Sequence, residues 1–521
     1  MKEFNTTGLC IPEKHYMCDV SQKFNRCKLL INKGKYFTIN FPRQHGKTTM
    51  QYLLTQEFEK YEDEYLVIST SFEGIGDLPF ESEEKFAPTM LEIFAKGLYF
   101  DNPELSDYLE ESARNIKDFK GLSRFITKWL KKIGKKVILI IDEIDKASNN
   151  QVFISFIAIL RDKYLLANSK KDITFYSVVL LGVHDVKSLK LKLRPEDEKK
   201  LNSPWNISEN LNIEFTFSIK EIEPMIRDYA AEHNFEMDIS GISKKIHYYT
   251  NGNPFLISQM CKIIDEIFMP DEKRAWTIDD IEQSYKYVID LAYTTTNFDD
   301  FYKNLENNDD LRNVTKQIII NGETFPFDLG DPVIIKGKTY GILSKNNNGQ
   351  CDISNKIYEF RIMNYLLSKD KTTTGSRYLT TKFIKNGELD ILLILQRFQL
   401  FLKEHNSSKD NKFLEKNGRL LLMSFLRPII NGKGFLFKEN VTAEDRKMDL
   451  VITFNNKRYV IELKIWYGEK YLSDGIQQLC DYLDSYSLDT GFILIYNFNK
   501  NKKYETKVVP DIDKKITAVF V

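Results

Sequence analysis

The chain lacks net charge, paired cysteines and long apolar runs, and each absence removes a class of answer. Its 521 residues carry 74 basic and 74 acidic side chains, a formal charge of zero at pH 7. No global field therefore draws it onto nucleic acid or an anionic bilayer, and any such binding has to come from a local patch. The six cysteines, at positions 10, 18, 27, 261, 351 and 480, include no C-x-x-C pair and no His/Cys cluster. A zinc site and a disulfide framework are both unsupported, and a reducing compartment is the simplest reading. The longest apolar runs, such as VILII at 137–141, fall far short of the ~20 residues that span a bilayer. The opening MKEFNTTGLCIPEKHYMCDV has no basic stretch followed by an apolar one, so the expectation is a cytoplasmic protein with no membrane partner. Nothing in the sequence argues for an oligomer.

What is present is a chain that packs, 42% apolar and 13% aromatic, long enough for three or so domains at roughly 150 residues each. The first part alternates apolar runs, YFTINF (36–41), YLVISTSF (65–72), VILII (137–141) and FYSVVLLGV (175–183), with amphipathic stretches such as TTMQYLLTQEFEKY. Strands without apolar–polar alternation, spaced by helices, indicate an α/β fold whose parallel sheet is covered by helices on both faces. From about Phe215 the texture turns helical, and 339–368 reads as two short strands around an Asn-rich turn followed by a helix, compatible with a winged-helix wing. SKDKTTTGSR (368–377) is the best linker. The remainder holds a helix at about 411–426, a hairpin at about 448–465, a helix at about 473–486 and the strand GFILIYNF. The expected domains are 1–215, 216–375 and 376–521.

The stretch FPRQHGKTTM (41–50) has Gly46, Lys47 and Thr48 of the phosphate loop G-x-x-x-x-G-K-[ST], but Phe41 where the first glycine belongs. Such a loop needs backbone N–H groups converging on an anion at a helix N-terminus, a lysine reaching the terminal phosphates and a hydroxyl for Mg²⁺. The first glycine mainly lets the chain leave its strand, so its loss harms less than loss of Gly46 would. Downstream, KKVILIIDEID ends an apolar strand in Asp142, suited to the Mg²⁺ shell with Thr48, and Glu143, suited to polarise an attacking water. The plainer reading is an ordinary helix start and strand exit. Both halves in order, each ending an expected strand, favour nucleotide binding.

YFTINFPRQHGKTT, VILIIDEID and GLCIPEKHYMCDVS resemble the N-terminal domain of the AAA-ATPase-like family of bacterial and anaerobe proteins, within the STAND-type P-loop NTPases. That family tolerates a non-glycine at the start of its loop, often with a P-R-Q stretch. The resemblance implies ATP as the nucleotide, held by Arg43, Gln44, His45, Gly46, Lys47, Thr48 and Thr49 with Asp142. It also implies that SPWNIS (203–208) ends the NTPase core and that GNP (252–254) is similar to the G-x-P of a helical lid. Pro254 then lies near the base, or is simply proline in a first helical turn. A polar sensor after strand 175–183 would fall on His184 or Asp185, unless these belong to a solvated loop end.

MDLVITFNNKRYVIELKIW (448–466) carries the sharper chemistry. A two-residue turn at Asn455-Asn456 pairs Phe454 with Lys457, Val451 with Val460 and Asp449 with Glu462. Opposed Cβ atoms lie about 4.5–5.5 Å apart, and like charges there repel unless something positive joins them. Alternation puts Lys464 on that same face, with Leu450, Ile452, Phe454, Tyr459, Ile461, Leu463 and Ile465 on the other, the core face. Mg²⁺ bound by Asp449 and Glu462 relieves the repulsion. It would polarise a scissile phosphate and supply the attacking water, while Lys464 offsets transition-state charge. Read without a metal, the hairpin is a solvent-facing one with Asp, Glu and Lys as surface charges. Next, Ser473 caps a helix whose Ile476, Leu479, Cys480 and Leu483 form an apolar stripe, with Gln478 and Tyr482 on a neighbouring one.

Asp, then E-x-K on a hairpin, then Q-x-x-x-Y on the next helix resembles the PD-(D/E)XK nuclease superfamily, in particular its RecB-like members, a restriction-endonuclease-like α/β fold. By that resemblance Asp449, Glu462 and Lys464 are catalytic, with Gln478 and Tyr482 assisting. A further glutamate would be Glu415, unless it only pairs with Arg419 on an exposed face. Met448 replaces the proline of the superfamily's name. The two resemblances together imply an ATPase and Mg²⁺-dependent nuclease acting on DNA or RNA under nucleotide control. The alternative is a nucleotide-controlled switch or scaffold whose C-terminal domain binds nucleic acid or protein without cutting.

Overall fold

The structure is a computed structural model that describes residues 2–147, 150–183, 205, 207–209, 211, 213–290, 294–321, 324–373, 383–385, 387–405, 422–423, 425–426, 434–437, 450–455, 457–499, 502–510 and 512–521. The chain forms two compact units. One holds Met1–Val288 with Thr295–Phe301 and Ile335–Ile342, and the other holds Ile289–Thr294, Tyr302–Ile334 and Leu343–Val521.

In the first unit α1 (Ser21–Asn32) leads into β1 (Tyr36–Asn40), then α2 (Lys47–Glu59), β2 (Tyr65–Ser71), α3 (Glu83–Lys96), α4 (Pro103–Ala113), α5 (Phe119–Ile133), β3 (Lys136–Asp142), α6 (Gln151–Asn168) and β4 (Ser177–Gly182). The four strands are parallel in the order β1-β4-β3-β2. Successive strand residues point to opposite faces. Phe37, Ile39, Ile138, Ile140, Val179 and Leu181 pack under α1 and α2, against Leu30, Met50, Leu54 and Phe58. Their neighbours Tyr36, Val137, Leu139, Ile141, Val178 and Leu180 pack on the other side, against Phe94, Trp129, Phe156 and Leu160 of α3, α5 and α6. Burial on both faces is why these strands read as unbroken apolar runs. Ser82, Asn102, Asp118 and Asn150 each accept an N–H in the first turn of the helix they precede, supplying partners that the helix cannot.

The helical stretch begins as its periodicity requires, with α7 (Ile219–Glu232), α8 (Ile239–Thr250), α9 (Pro254–Lys262) and α10 (Ile278–Ile289). Between α8 and α9 the chain turns at Gly252, φ +76°, where an added Cβ would lie 2.2 Å from the carbonyl oxygen of Phe217. Only glycine fits there.

Then follow α11 (Thr296–Glu306), α12 (Asp309–Lys316), α13 (Pro332–Thr339), the antiparallel pair β5 (Leu343–Lys345) and β6 (Cys351–Ile353), and α14 (Lys356–Thr373). The expected pair of strands and helix are present, but α14 continues to Thr373 and so takes up the first half of the expected linker. The reason is that 368–373 holds no glycine or proline to stop it.

After the short antiparallel pair β7 (Ile384–Lys385) and β8 (Glu388–Leu389), the second unit's main sheet has β9 (Gly434–Phe437), β10 (Leu450–Phe454), β11 (Lys457–Ile465), β12 (Thr490–Tyr496), β13 (Thr506–Val508) and β14 (Lys515–Phe520), in the order β13-β14-β12-β11-β10-β9. β9, β10 and β11 run antiparallel, whereas β11, β12 and β14 are parallel. A helix unexpected from the sequence, α15 (Ile391–His405), precedes the sheet, with Ile394, Leu395 and Phe398 fully buried. The parallel step from β11 to β12 requires a crossover. The crossover is α16 (Glu469–Ser485), and Leu479, Tyr482 and Leu483 pack it on Val451, Val460, Ile493 and Ile495.

Two expectations are corrected here. Helix α16 starts four residues before Ser473, because Gly468 at φ 114° turns the chain into it directly. And the β11 face that bears Glu462 and Lys464 is largely covered, Glu462 fully and Lys464 with 22% of its side chain left exposed. Val451 and Val460 on that face belong to the core under α16, while Leu450, Ile452, Ile461 and Leu463 on the other are fully buried as well. Over 460–463 both faces of β11 are buried. The helix expected at 411–426 lies outside the described residues except for helical 422–423 and 425–426. Among the described residues no helix is long and apolar enough to cross a membrane.

Candidate functional site

The phosphate-loop residues lie where β1 gives way to α2. Gly46 takes φ 78° as the N-cap of α2, and Gln44 takes φ 57°, a conformation that costs a non-glycine residue roughly 1 kcal/mol or more and tends to mark a functional loop. Helix α2 begins at Lys47, so Lys47, Thr48 and Thr49 all fall in its first turn, where free N–H groups and the helix dipole favour an anion. Lys47 Nζ donates to the carbonyls of Phe41 (2.8 Å) and Pro42 (2.9 Å). Phe41, in the place of the first glycine, thus contributes backbone rather than side chain to the loop. Thr48 Oγ1 donates to Asp142 Oδ2 at 2.9 Å, and Asp142 Oδ1 accepts the Glu143 N–H at 2.8 Å. One strand, β4, separates β1 from β3, whose C-terminal residue is Asp142.

Electrostatics draws these groups together. Burial lowers the Lys47 pKa, and the carboxylates of Asp145, Asp142 and Glu143 oppose that shift. Burial, and next the Asp142 charge, raise the Glu143 pKa; Glu143 itself takes φ 54°. Asp145 was not anticipated. Its carboxylate accepts the Val183 N–H at the end of β4, under Gly182, where an added Cβ would lie 3.1 Å from it. The third acid of DEID was its visible signal. The side chain of Thr49 faces inward, accepting the Cys10 N–H at 3.1 Å, which ties GLCIP to the loop.

His45 is buried, its Nδ1–H donating to the Arg43 carbonyl at 2.9 Å and its Nε2 lying 3.4 Å from the Asn253 amide nitrogen. Because a carbonyl can only accept, the proton sits on Nδ1 and Nε2 is the acceptor. Asn253 also caps α9 through the Leu256 N–H, and Pro254 is in the first turn. Pro254 is therefore a helix-start proline, and that helix start adjoins the loop through Asn253. Arg43, largely exposed, pairs with the half-buried Asp300 at 2.9 Å. His184 and Asp185 lie outside the described residues.

A family profile described as an AAA-like domain matches residues 13–362, more than half of the chain. The chain belongs to the AAA-like domain family. Among solved structures it is similar to the Walker-type ATPase PABY2304 of Pyrococcus abyssi (10% identity, 69% of this chain and 99% of that one, TM-score 0.45). It is also similar to the ORC2 protein of Aeropyrum pernix (10%, 68% and 95%, TM-score 0.40). A third is the RuvB Holliday junction branch migration motor of Thermotoga maritima (15%, 65% and 92%, TM-score 0.34). No curated protein matches the sequence.

The AAA-like match ends before the C-terminal sheet, whose side chains speak for themselves. The pairs run from Phe454↔Lys457 through Val451↔Val460 to Leu450↔Ile461, with Asn455 at φ 47° in the turn. Asp449 lies outside the described residues, as do Met448, Glu415 and Arg419. Glu462 is 1% exposed, and its Oε1 is 2.9 Å from Lys464 Nζ. Lys464 Nζ also donates to Gln478 Oε1 of α16 at 3.1 Å. Room for the lysine is made by Gly475, where an added Cβ would lie 2.9 Å from Lys464 Cε. A glycine inside a helical pattern, one turn before Gln478, was the signal for it. Tyr482, on the same side of α16 as Gln478, is buried in the core and stacks on Tyr486 at 4.5 Å. Among the described residues no group of three or more His, Cys, Asp or Glu side chains is placed to hold a metal.

Proposed function

We propose that this AAA-like protein binds and hydrolyses ATP at residues 43–49, and that its C-terminal sheet cuts phosphodiester bonds of DNA or RNA under control of the nucleotide. The observation that carries the first half is the Thr48 hydroxyl 2.9 Å from Asp142. Two hard oxygen donors at a helix N-terminus suit Mg²⁺, which needs few protein ligands because phosphate and water complete its shell. Mg²⁺ would offset charge on the β- and γ-phosphates. Lys47 exchanges the Phe41 and Pro42 carbonyls for phosphate oxygens, and Glu143 orients the attacking water and takes its proton.

The observation behind the second half is Glu462, 1% exposed and paired with the part-buried Lys464. Taking the Glu462 charge out of water is costly and seldom worthwhile for stability alone, which points to chemistry. The register expected from the sequence, with its two-residue turn at Asn455-Asn456, would set Asp449 opposite Glu462. Two carboxylates there suit Mg²⁺, which would polarise the scissile phosphate. Lys464, aimed by Gln478, offsets the charge that builds on it.

The test is cleavage of single- and double-stranded DNA and RNA with Mg²⁺, with and without ATP. Glu462→Gln should lower cutting by at least about 10²-fold while the fold survives, and Lys47→Ala should remove the ATP effect. Cutting that persists undiminished in Glu462→Gln rejects the nucleolytic half. One observation favours a second reading: Lys464 already balances Glu462, which suits a switch whose C-terminal domain binds without cutting. In that case ATP affinity still falls in Lys47→Ala, but no metal elicits cleavage.

A further inference from the structure

We propose that Tyr467 and Tyr471 stack unpaired nucleobases, so that the substrate of the Glu462–Lys464 site is a single strand or a strand end peeled from a duplex. The inference rests on the nucleolytic reading above and names its substrate class.

Tyr467 is 69% exposed and Tyr471 56%, large for aromatic side chains, and their rings meet edge to face at 5.3 Å. Their place in the fold ties them to the Glu462–Lys464 pair. Tyr467 follows Lys464 by three residues, just beyond the end of β11, and Tyr471 is in the first turn of α16. Residues 471, 475, 478 and 482 fall at i, i+4, i+7 and i+11, one stripe of a helix. Along that stripe Gly475 lies against the Lys464 stem, Gln478 holds its ammonium and Tyr482 is in the core. Tyr471 therefore stands one turn, about 6 Å, beyond Gly475, at the open end of the row that contains Lys464. A phosphate engaged by Lys464 would bring its neighbouring bases to these two rings.

Charge argues for bases rather than duplex backbone. The segment 466–475, WYGEKYLSDG, has Lys470 against Glu469 and Asp474, and the whole chain is neutral. A duplex is held chiefly through its phosphates by surplus lysine and arginine, which this segment does not offer. Stacking needs no surplus charge, but it needs a base face free of its neighbours, which a single strand has and a duplex interior lacks.

The experiment measures binding of a fluorescein-labelled oligothymidylate by anisotropy in EDTA, with a blunt duplex of equal length as competitor. The intact chain should prefer the single strand. Tyr467→Ala with Tyr471→Ala should weaken single-strand binding on the order of tenfold or more, while Tyr467→Phe with Tyr471→Phe keeps it, since the ring and not the hydroxyl stacks. Both positions are exposed, so an unchanged thermal midpoint is expected of each variant. Equal affinity for the duplex, an alanine pair that binds as the parent does, or no nucleic-acid binding at all, as for a protein-docking surface, overturns the proposal. Because EDTA removes any cleavage, ring-dependent single-strand binding by a protein that never cuts would sink the nucleolytic reading alone. Cutting of single strands undiminished in the alanine pair would sink this inference alone.

Discussion

Both candidate sites set a lysine and a carboxylate beside a glycine, but they assemble them differently. In the phosphate loop the ammonium of Lys47 is held by carbonyls five and six residues back in the same turn. The glycines at this site answer to backbone: Gly46 in the loop to its positive φ, and Gly252, beside the Asn253 that meets His45, to the main chain of Phe217. At the C-terminal site Lys464 comes from a strand, Gln478 from a helix, and Gly475 answers to the flexible stem of the lysine itself. The loop of the first site is one contiguous segment whose lysine is fixed by main chain, with Asp142 and Asn253 reaching it from elsewhere; the second site is built across the fold and its lysine is fixed by side chains. The teaching is that the first should break by unfolding, the second by misaiming.

Gly252→Ala should give the largest effect. A Cβ 2.2 Å from the Phe217 oxygen and 2.6 Å from its nitrogen, at a φ that alanine disfavours, has nowhere to go. Phe217 N also donates to the Gly252 carbonyl at 2.8 Å, so relief would break that bond. A loss on the order of 3 kcal/mol or more is expected in urea denaturation, and a loss below 1 kcal/mol would show the backbone there to be softer than argued.

Gly475→Ala should be milder in stability and sharper in activity. Alanine gains roughly 1 kcal/mol of helix propensity over glycine, which offsets its crowding of a movable side chain. The displaced Lys464 then loses Gln478, and cutting should fall about tenfold with the midpoint nearly unchanged. Gln478→Ala, which removes the aim but not the room, should reproduce the loss of rate. If Gly475→Ala unfolds the chain instead, the two sites do not differ as described.

The same contrast decides what the sequence could reveal. The apolar runs of β1, β3 and β4 disclosed the parallel sheet because both their faces are buried; Gly46-Lys47-Thr48 was legible because the loop is one contiguous segment, and Asp142 because it ends one of those apolar runs. The β10–β11 register was legible too, since a two-residue turn leaves a single pairing. Less could be read where the cause was non-local. Glu462 is interior because α16 lies over it, which alternation along one strand cannot disclose. The early start of α16 depends on Gly468, and α15 is so apolar that its face has no clear edge. Asn253 reaches His45 only through the turn at Gly252. Asp145 meets Val183 only because β3 and β4 are neighbours.

His45 offers the smallest effect and the finest test of the main-chain site. Burial drives its pKa down to about 4, the Arg43 carbonyl only partly opposing, whereas in the unfolded chain it titrates near 6.5. Between those values the unfolded state binds the extra proton, so stability rises with pH across that window and is lost as pH falls from about 6.5 toward 4. The loss should be about 1 kcal/mol between pH 7.5 and 5.5. His45→Gln keeps a donor for Arg43 and an acceptor for Asn253 but has no proton to gain. The difference in unfolding free energy between it and the parent should therefore shrink with acidification by that amount, and a difference flat from pH 7.5 to 5.5 would mean that the imidazole is not held neutral by its place in the loop.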